Sequence, residues 1–189
     1  MKVYHGTSNP VLAEKIISKL KRFHGIKTDN LVIEKFSDKE ILPRFTESVR
    51  EEDVFFIQTT ESSDAVMETL LVIDAAKRAG AKSFTLVAPF QGYSRQDKTD
   101  HIRCSIGSKM MSDILESVGM TRLITVDLHS AAIQGFYDIP VIHLNGSQIF
   151  INYIKSLELE NLVICSPDYG AVKRNTDFAK SFPESGFVL

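Results

Sequence analysis

The chain has 189 residues, 43% of them hydrophobic and 24% charged, with 22 Lys and Arg against 24 Asp and Glu for a formal charge of −2. This balance excludes disordered, collagen-like and coiled-coil chains, and the missing basic excess argues against a nucleic-acid partner. No apolar run reaches the ~20 residues that span a bilayer, and Lys2-Val3-Tyr4 is strand-like with no secretory signal pattern, so the expectation is a cytoplasmic protein without a membrane partner. A chain this long can bury roughly 70% of its unfolded surface without disulfide staples. Cys104 and Cys165 lie far apart with no CxxC spacing and read as reduced thiols; Cys165, inside an apolar run, is expected in the core.

Strand and helix patterns alternate along the chain. After Lys2-Val3-Tyr4, Ser8-Asn9-Pro10 reads as a cap with proline in the first helical turn. Val11, Leu12, Ile16 and Leu20 keep helical spacing up to Leu20, and the interleaved basic residues read as a solvated face. Residues 31–36 and 41–45 are strand-like around a hairpin at Ser37 to Glu40, and 53–58 is a buried strand. Asp64 is the expected cap of a helix ended by Gly80. Then come a strand at 83–88, a helix at 107–118 with Met110, Met111, Ile114, Leu115 and Val118 on one face, and strands at 122–126 and 141–144. A helix at 147–157, a strand at 162–166, a helix at 171–182 and a strand beginning at Phe187-Val188-Leu189 follow. The order predicts an α/β fold: a mostly parallel sheet with helices on both faces. A change of unit is expected near Asn145-Gly146, which divides the chain into 1–145 and 146–189.

In such sheets ligands bind beyond the carboxyl ends of the strands. After Leu86-Val87-Ala88 stand Arg95, Gln96, Asp97 and Lys98. Arg95 can hold phosphate oxygens through its paired N–H donors; a solvated loop with an Arg95–Asp97 ion pair fits equally well. After Ile124-Thr125-Val126 come Asp127 and His129, which point the same way if the strand stays extended. Carboxylate and imidazole suit a divalent metal, and a buried His bonded to its Asp neighbour is the alternative. After Cys165-Ser166 comes Asp168, either a metal ligand or a helix cap, and Gly170 could offer backbone N–H groups to an anion. Three such strand ends in succession point to a phosphorylated ligand with a divalent metal. No Walker A, GxSxG, HExxH or GxGxxG motif is present.

The stretches Phe36-Ser37-Asp38-Lys39-Glu40, Gly92-Tyr93-Ser94-Arg95-Gln96-Asp97-Lys98, Asp127-Leu128-His129, Ile133-Gln134-Gly135-Phe136-Tyr137-Asp138-Ile139-Pro140 and Ser166-Pro167-Asp168 share an order and spacing. In these the chain resembles the ribose-phosphate pyrophosphokinases, also called phosphoribosyl pyrophosphate synthetases, over nearly its whole length. The resemblance implies diphosphoryl transfer from ATP to the 1-hydroxyl of ribose 5-phosphate, giving phosphoribosyl pyrophosphate and AMP. It implies a type I phosphoribosyltransferase-like fold, with 1–145 as a first domain and 146–189 as the beginning of a second, incomplete one. It also implies a homo-oligomer, a dimer or hexamer, and Mg2+ as cofactor.

Carried over by motif, Phe36 stacks on adenine, Asp38 and Glu40 bond the adenine edge or ribose, and Arg95, Gln96 and Asp97 lie at the ATP phosphates. His129 and Asp168 match magnesium positions, and Asp127 is a further candidate. The aromatic surface of Phe36, Phe45, Phe55 and Phe56 exceeds what a small monomer needs and supports association. There are departures from the family pattern. The segment Thr59 to Ala65 is shorter and lacks the usual paired asparagines, Ser105 stands where proline is common, and Ile142 replaces a polar residue. In the family, the mobile loop with the catalytic cations and the Thr-Gly-rich loop for ribose 5-phosphate lie beyond the position of Leu189, so catalytic residues are not assigned here. Two other readings remain at this point: a non-catalytic, ATP-binding or regulatory subunit of a full-length enzyme, and a plain α/β phosphate-binding module.

Overall fold

The structure, a computed structural model, describes residues 1–26 and 30–188. It divides into two compact units, Met1–Leu144 and Asn145–Leu189.

The first unit is built on five parallel strands in the order β1 (Lys2–His5), β4 (Asp53–Ile57), β5 (Ser83–Ala88), β6 (Arg122–Val126) and β7 (Val141–Leu144). Between β1 and β4 run helix α1 (Pro10–His24) and a hairpin of β2 (Leu31–Lys35) and β3 (Ile41–Phe45), paired antiparallel with Leu31 opposite Phe45. Helix α2 (Ser63–Arg78) joins β4 to β5, α3 (Gly107–Val118) joins β5 to β6, and a short 3-10 segment, Ala131–Phe136, joins β6 to β7.

The period of two along β4 explains the layering. Val54 and Phe56 pack with Val72 and Ile73 of α2 and Met111 and Leu115 of α3, all essentially sealed from water. Phe55 and Ile57 face the other way, with Val3 and Val87, onto Ala13, Ile16, Ile17 and Leu20 of α1. A sheet covered on both faces needs apolar side chains at every position, which is why β4 reads as an unbroken apolar run. The expected α/β class with helices on both faces is the one observed.

Several local expectations are corrected. Ser62, not Asp64, caps α2: its Oγ accepts from the Ala65 N–H at 3.1 Å, while Asp64 sits in the first turn and pairs with Lys35 at 3.3 Å. α1 runs past Leu20 to His24 and stops at Gly25, whose φ of 59° is left-handed. On α3 the buried face is Ser108, Met111, Ser112 and Leu115, and Met110 stays exposed. The aromatic side chains taken to favour association are mostly used internally. Phe56 is fully buried, Phe55 packs under α1, and Phe45 meets Tyr4 edge-on at 4.8 Å. Of that group only Phe36 is exposed.

The second unit holds α4 (Ser147–Ser156), β8 (Val163–Cys165), a 3-10 turn at Tyr169–Ala171, α5 (Val172–Ala179) and β9 (Gly186–Val188). β8 and β9 pair in parallel, Val163 opposite Gly186; Leu189, read as part of the last strand, lies outside the described residues. Cys165 is exposed rather than in the core, because its sheet has two strands among the described residues and cannot enclose either face.

Candidate functional site

Parallel strands deliver their following loops to one edge of a sheet. Here the loops after β4, β5 and β6 leave from that edge, and the first two are bonded to one another. The Thr60 N–H donates to the Phe90 carbonyl at 3.2 Å, and the Gly92 N–H donates to Thr60 Oγ1 at 2.9 Å. A Cβ on Gly92 would lie 1.9 Å from the Thr60 carbonyl oxygen, so only glycine permits this approach. Ser94 Oγ donates to the Gln91 carbonyl at 2.7 Å, and the Ser108 N–H at the start of α3 donates to the Gln96 carbonyl at 3.1 Å. The Gln96 side chain lies over Gly107, where a Cβ would meet its Oε1 at 2.5 Å. This frame presents Arg95 and Gln96 to solvent, with Asp97 half-buried. The alternative Arg95–Asp97 ion pair does not form; Lys98 pairs with Asp100 instead, at 3.6 Å.

β6 ends at Val126, so Asp127 and His129 are not the extended residues the strand pattern suggested. Asp127 has a φ of 46° and turns the chain out of the sheet. Both residues are nevertheless exposed, with Leu128 buried between them. The turn is held by β7: the Asp127 N–H donates to the Leu144 carbonyl at 3.0 Å, and the Leu128 N–H donates to His143 Nε2 at 3.0 Å. Nε2 is therefore the accepting ring nitrogen of His143 in this arrangement. Sequence reasoning missed His143, because its partner lies 15 residues away and no motif marks it.

Phe36, Asp38 and Glu40 sit at the tip of the β2–β3 hairpin. The Phe36 N–H donates to the Glu40 carbonyl and the Lys39 N–H to the Phe36 carbonyl, both at 2.9 Å, and Lys39 takes a φ of 77°. Asp38 Oδ1 accepts from the Glu40 N–H at 3.1 Å, which closes the turn. Phe36 is 49% exposed, which leaves it available to a ligand. Among the described residues no hydrogen bond or ion pair joins this tip to Arg95, Gln96 or Asp97. Asp168 belongs to the second unit. There it performs the capping job that was its alternative reading, its Oδ1 accepting from the Ala171 N–H at 2.8 Å. Gly170 lies inside the 3-10 turn rather than opening a helix.

Two buried side chains complete the first unit's site region. Gln91 Nε2 donates to the Tyr137 hydroxyl, and the two residues are only 5% and 6% exposed. Among the described residues Gln91 Oε1 has no partner. A buried polar atom left without a partner costs about 1–3 kcal/mol. Burial pushes the Tyr137 phenol far above its ordinary range, against the opposing effect of the Gln91 bond, with the Glu116 charge adding to the rise. Its neutral form is thus favoured by folding. That contribution is fully present below the unfolded phenol's pKa of about 10 and is lost as pH rises beyond it. Tyr137→Phe is expected to flatten the alkaline side of the stability curve, measured by denaturant unfolding from pH 8 to 11; an unchanged slope would contradict it.

Among the described residues no three His, Cys, Asp or Glu side chains cluster as a metal cage. A magnesium ion held by one or two protein groups plus substrate phosphates needs no such cage, and the exposed Asp127–His129 turn suits that kind of site. No helix among the described residues is long and apolar enough to cross a membrane.

A parallel sheet with polar, glycine-assisted loops gathered at its carboxyl edge defines an α/β protein of the kind that binds ligands at that edge. The comparisons narrow the class. The profile of the N-terminal domain of ribose phosphate pyrophosphokinase matches residues 1–119, and the chain belongs to that family. It is 49% identical over 180 residues to a ribose-phosphate pyrophosphokinase of Porphyromonas gingivalis, across 94% of this chain and 56% of that one. It is 44% identical to the Prochlorococcus marinus subsp. pastoris enzyme of the same name, across 100% of this chain and 56% of that one. The crystal structure of phosphoribosylpyrophosphate synthetase from Mycobacterium smegmatis superposes with a TM-score of 0.91 at 34% identity, over 98% of this chain and 62% of that one. The chain thus spans about half the length of the curated relatives it matches.

Proposed function

We propose that this chain carries the ATP- and magnesium-binding groups of a ribose-phosphate pyrophosphokinase, which moves diphosphate from ATP to ribose 5-phosphate and yields phosphoribosyl pyrophosphate and AMP. The observation that carries the reading is the pairing of β5 with β6. It brings the Arg95–Gln96 loop and the Asp127–His129 turn to the same edge of one sheet. Arg95 offers a planar fork of donors to phosphate oxygens, Gln96 an amide beside it, and Asp97 a further polar group at the ATP phosphates. Phe36 offers a ring face to adenine, with Asp38 and Glu40 as acceptors for its amine or the ribose hydroxyls. His129 and Asp127 of the first unit are the groups that would hold Mg2+ there, and Asp168 of the second unit is a separate candidate ligand. The bound ion would neutralise phosphate charge as the diphosphoryl group moves. The chain's own contribution is to orient the nucleotide and to supply fixed charge and dipoles around it.

Residues 146–189 are proposed as the beginning of a second domain like the first, and the two free thiols agree with a cytoplasmic setting. Calorimetric titration with Mg-ATP tests the site. Phe36→Ala is expected to weaken binding by about 1–3 kcal/mol, the range for base–aromatic stacking. Arg95→Lys is expected to weaken it too, since the charge stays and the fork is lost. Unchanged affinity in both variants would remove the assignment.

The same reading includes a homo-oligomer, at least a dimer, for which the exposed Phe36 and Leu42 of the hairpin are available surface. Light scattering is expected to give a multiple of the 21.2 kDa chain mass. A monomer at tens of micromolar, on the order of where standard interfaces form, would contradict it.

A further inference from the structure

The Arg95–Gln96 loop and the Asp127–His129 turn are propped up by different parts of the fold. The first leans on Thr60 and on the start of α3, through Gly92, Gln96 and Ser108. The second leans on β7, through Leu144 and His143. It continues directly into the 3-10 segment, which Ser130 caps and which later residues of α3 hold, Ser112 Oγ donating to the Phe136 carbonyl at 3.0 Å and Glu116 Oε1 accepting from the Asp138 N–H at 3.0 Å. The Gln91–Tyr137 bond closes this circuit. Gln91 is the residue whose carbonyl anchors the turn leading to Arg95. Tyr137 follows the 3-10 segment that begins just after His129 and whose Ile133 is fully buried. The bond reaches across 46 residues inside the core, with Gln91 Oε1 unpaired among the described residues. An apolar pair would fill the same space without that orphan, so the bond's directionality is what this arrangement supplies.

We propose that Gln91 and Tyr137 are positioning residues: their buried hydrogen bond couples the Arg95–Gln96 loop to the Asp127–His129 turn and keeps the two in register. For the ligands involved, phosphate on one loop and a divalent cation on the other, the inference rests on the function proposed above. The coupling itself does not.

Hydrogen exchange on the 189-residue chain tests it without any ligand. Tyr137→Phe keeps the ring and removes only the hydroxyl, while Gln91→Leu removes the amide. Each variant is expected to speed exchange on the far side of the bond by about fivefold or more relative to β4 amides, as local opening does. For Tyr137→Phe the reporters are Gln96 and Ser108; for Gln91→Leu they are Leu128 and Ile133. Acceleration confined to the substituted side, or spread equally over β4, would overturn the proposal.

Mg-ATP titration adds a second reading. The two single variants should weaken binding by a similar factor and the double variant by no more than either, because all three lose the same bond. Multiplying effects, or unchanged affinity in both single variants, would also overturn it. A failure of the unsubstituted chain to bind Mg-ATP would count against the nucleotide reading alone, since the exchange result stands without it.

Discussion

A polypeptide of residues 1–189, given ATP, magnesium and ribose 5-phosphate, is expected to release AMP several orders of magnitude more slowly than a working kinase. The reasoning concerns parts. On the function proposed above, Arg95, Gln96, Asp127 and His129 would hold a nucleotide with its metal, but no stretch of these residues resembles the Thr-Gly-rich loop for ribose 5-phosphate or the mobile cationic loop that the family resemblance implies. Holding two reactants in reacting geometry is worth about 7–11 kcal/mol in well-oriented cases, and most of that goes when one reactant has no cradle. Each missing donor to the charge on the moving group removes about 2.7–4 kcal/mol more. Steady AMP release that depends on ribose 5-phosphate, at ~1 per second or faster, would show that the acceptor site lies within these residues after all. Restoration by the following segment of a relative, supplied in trans, would assign the chain to the nucleotide side of the reaction.

Gly92→Ala is expected to be the most damaging single methyl in the first unit. Its Cβ would stand 1.9 Å from the Thr60 carbonyl oxygen and 2.9 Å from the carbonyl carbon. Both are backbone atoms, and they cannot yield without breaking the Thr60–Phe90 and Gly92–Thr60 bonds that join the loops after β4 and β5. Overpacking of this kind costs about 1–3 kcal/mol, and more where the backbone must move. Because the displaced loop carries Arg95 and Gln96, Mg-ATP affinity should fall at least about tenfold, equivalent to 1.4 kcal/mol. Gly135→Ala is the control: beyond its own chain neighbours and helix backbone, no described residue lies within 4 Å of its added Cβ, so stability should stay within about 0.5 kcal/mol. Equal denaturant midpoints for the two variants would refute the argument.

These expectations draw unequally on sequence and on structure. The Asn9–Pro10 start of α1, the apolar run of β4 and the hairpin turn at Ser37 to Glu40 are set by interactions within a few residues, and they were legible in order along the chain. The same holds for the loops bearing Arg95, Asp127 and His129, since strand ends can be read from apolar runs. Where neighbours compete for one role, the string was less informative. Ser62 and Asp64 are both good caps, and the choice went to Ser62 because Asp64 meets Lys35 of the hairpin. Met110 and Met111 are chemically alike, and only the direction of the sheet decides which is covered. Cys165 looks like a core residue by its neighbours, but a two-stranded sheet has no layers to bury it.

By itself, then, the sequence determined the alternation of elements, the α/β class and which polar loops follow the strand ends, because capping, turn chemistry and hydrophobic period act locally. Tertiary structure alone decided how those loops are held. The left-handed turn at Asp127, the acceptance of the Leu128 N–H by His143, the approach of Gly92 to Thr60 and the Gln91–Tyr137 bond each join segments distant in the chain. Such contacts leave no periodic or motif signature, since what they require is a partner at a point in space that only the packed parallel sheet supplies.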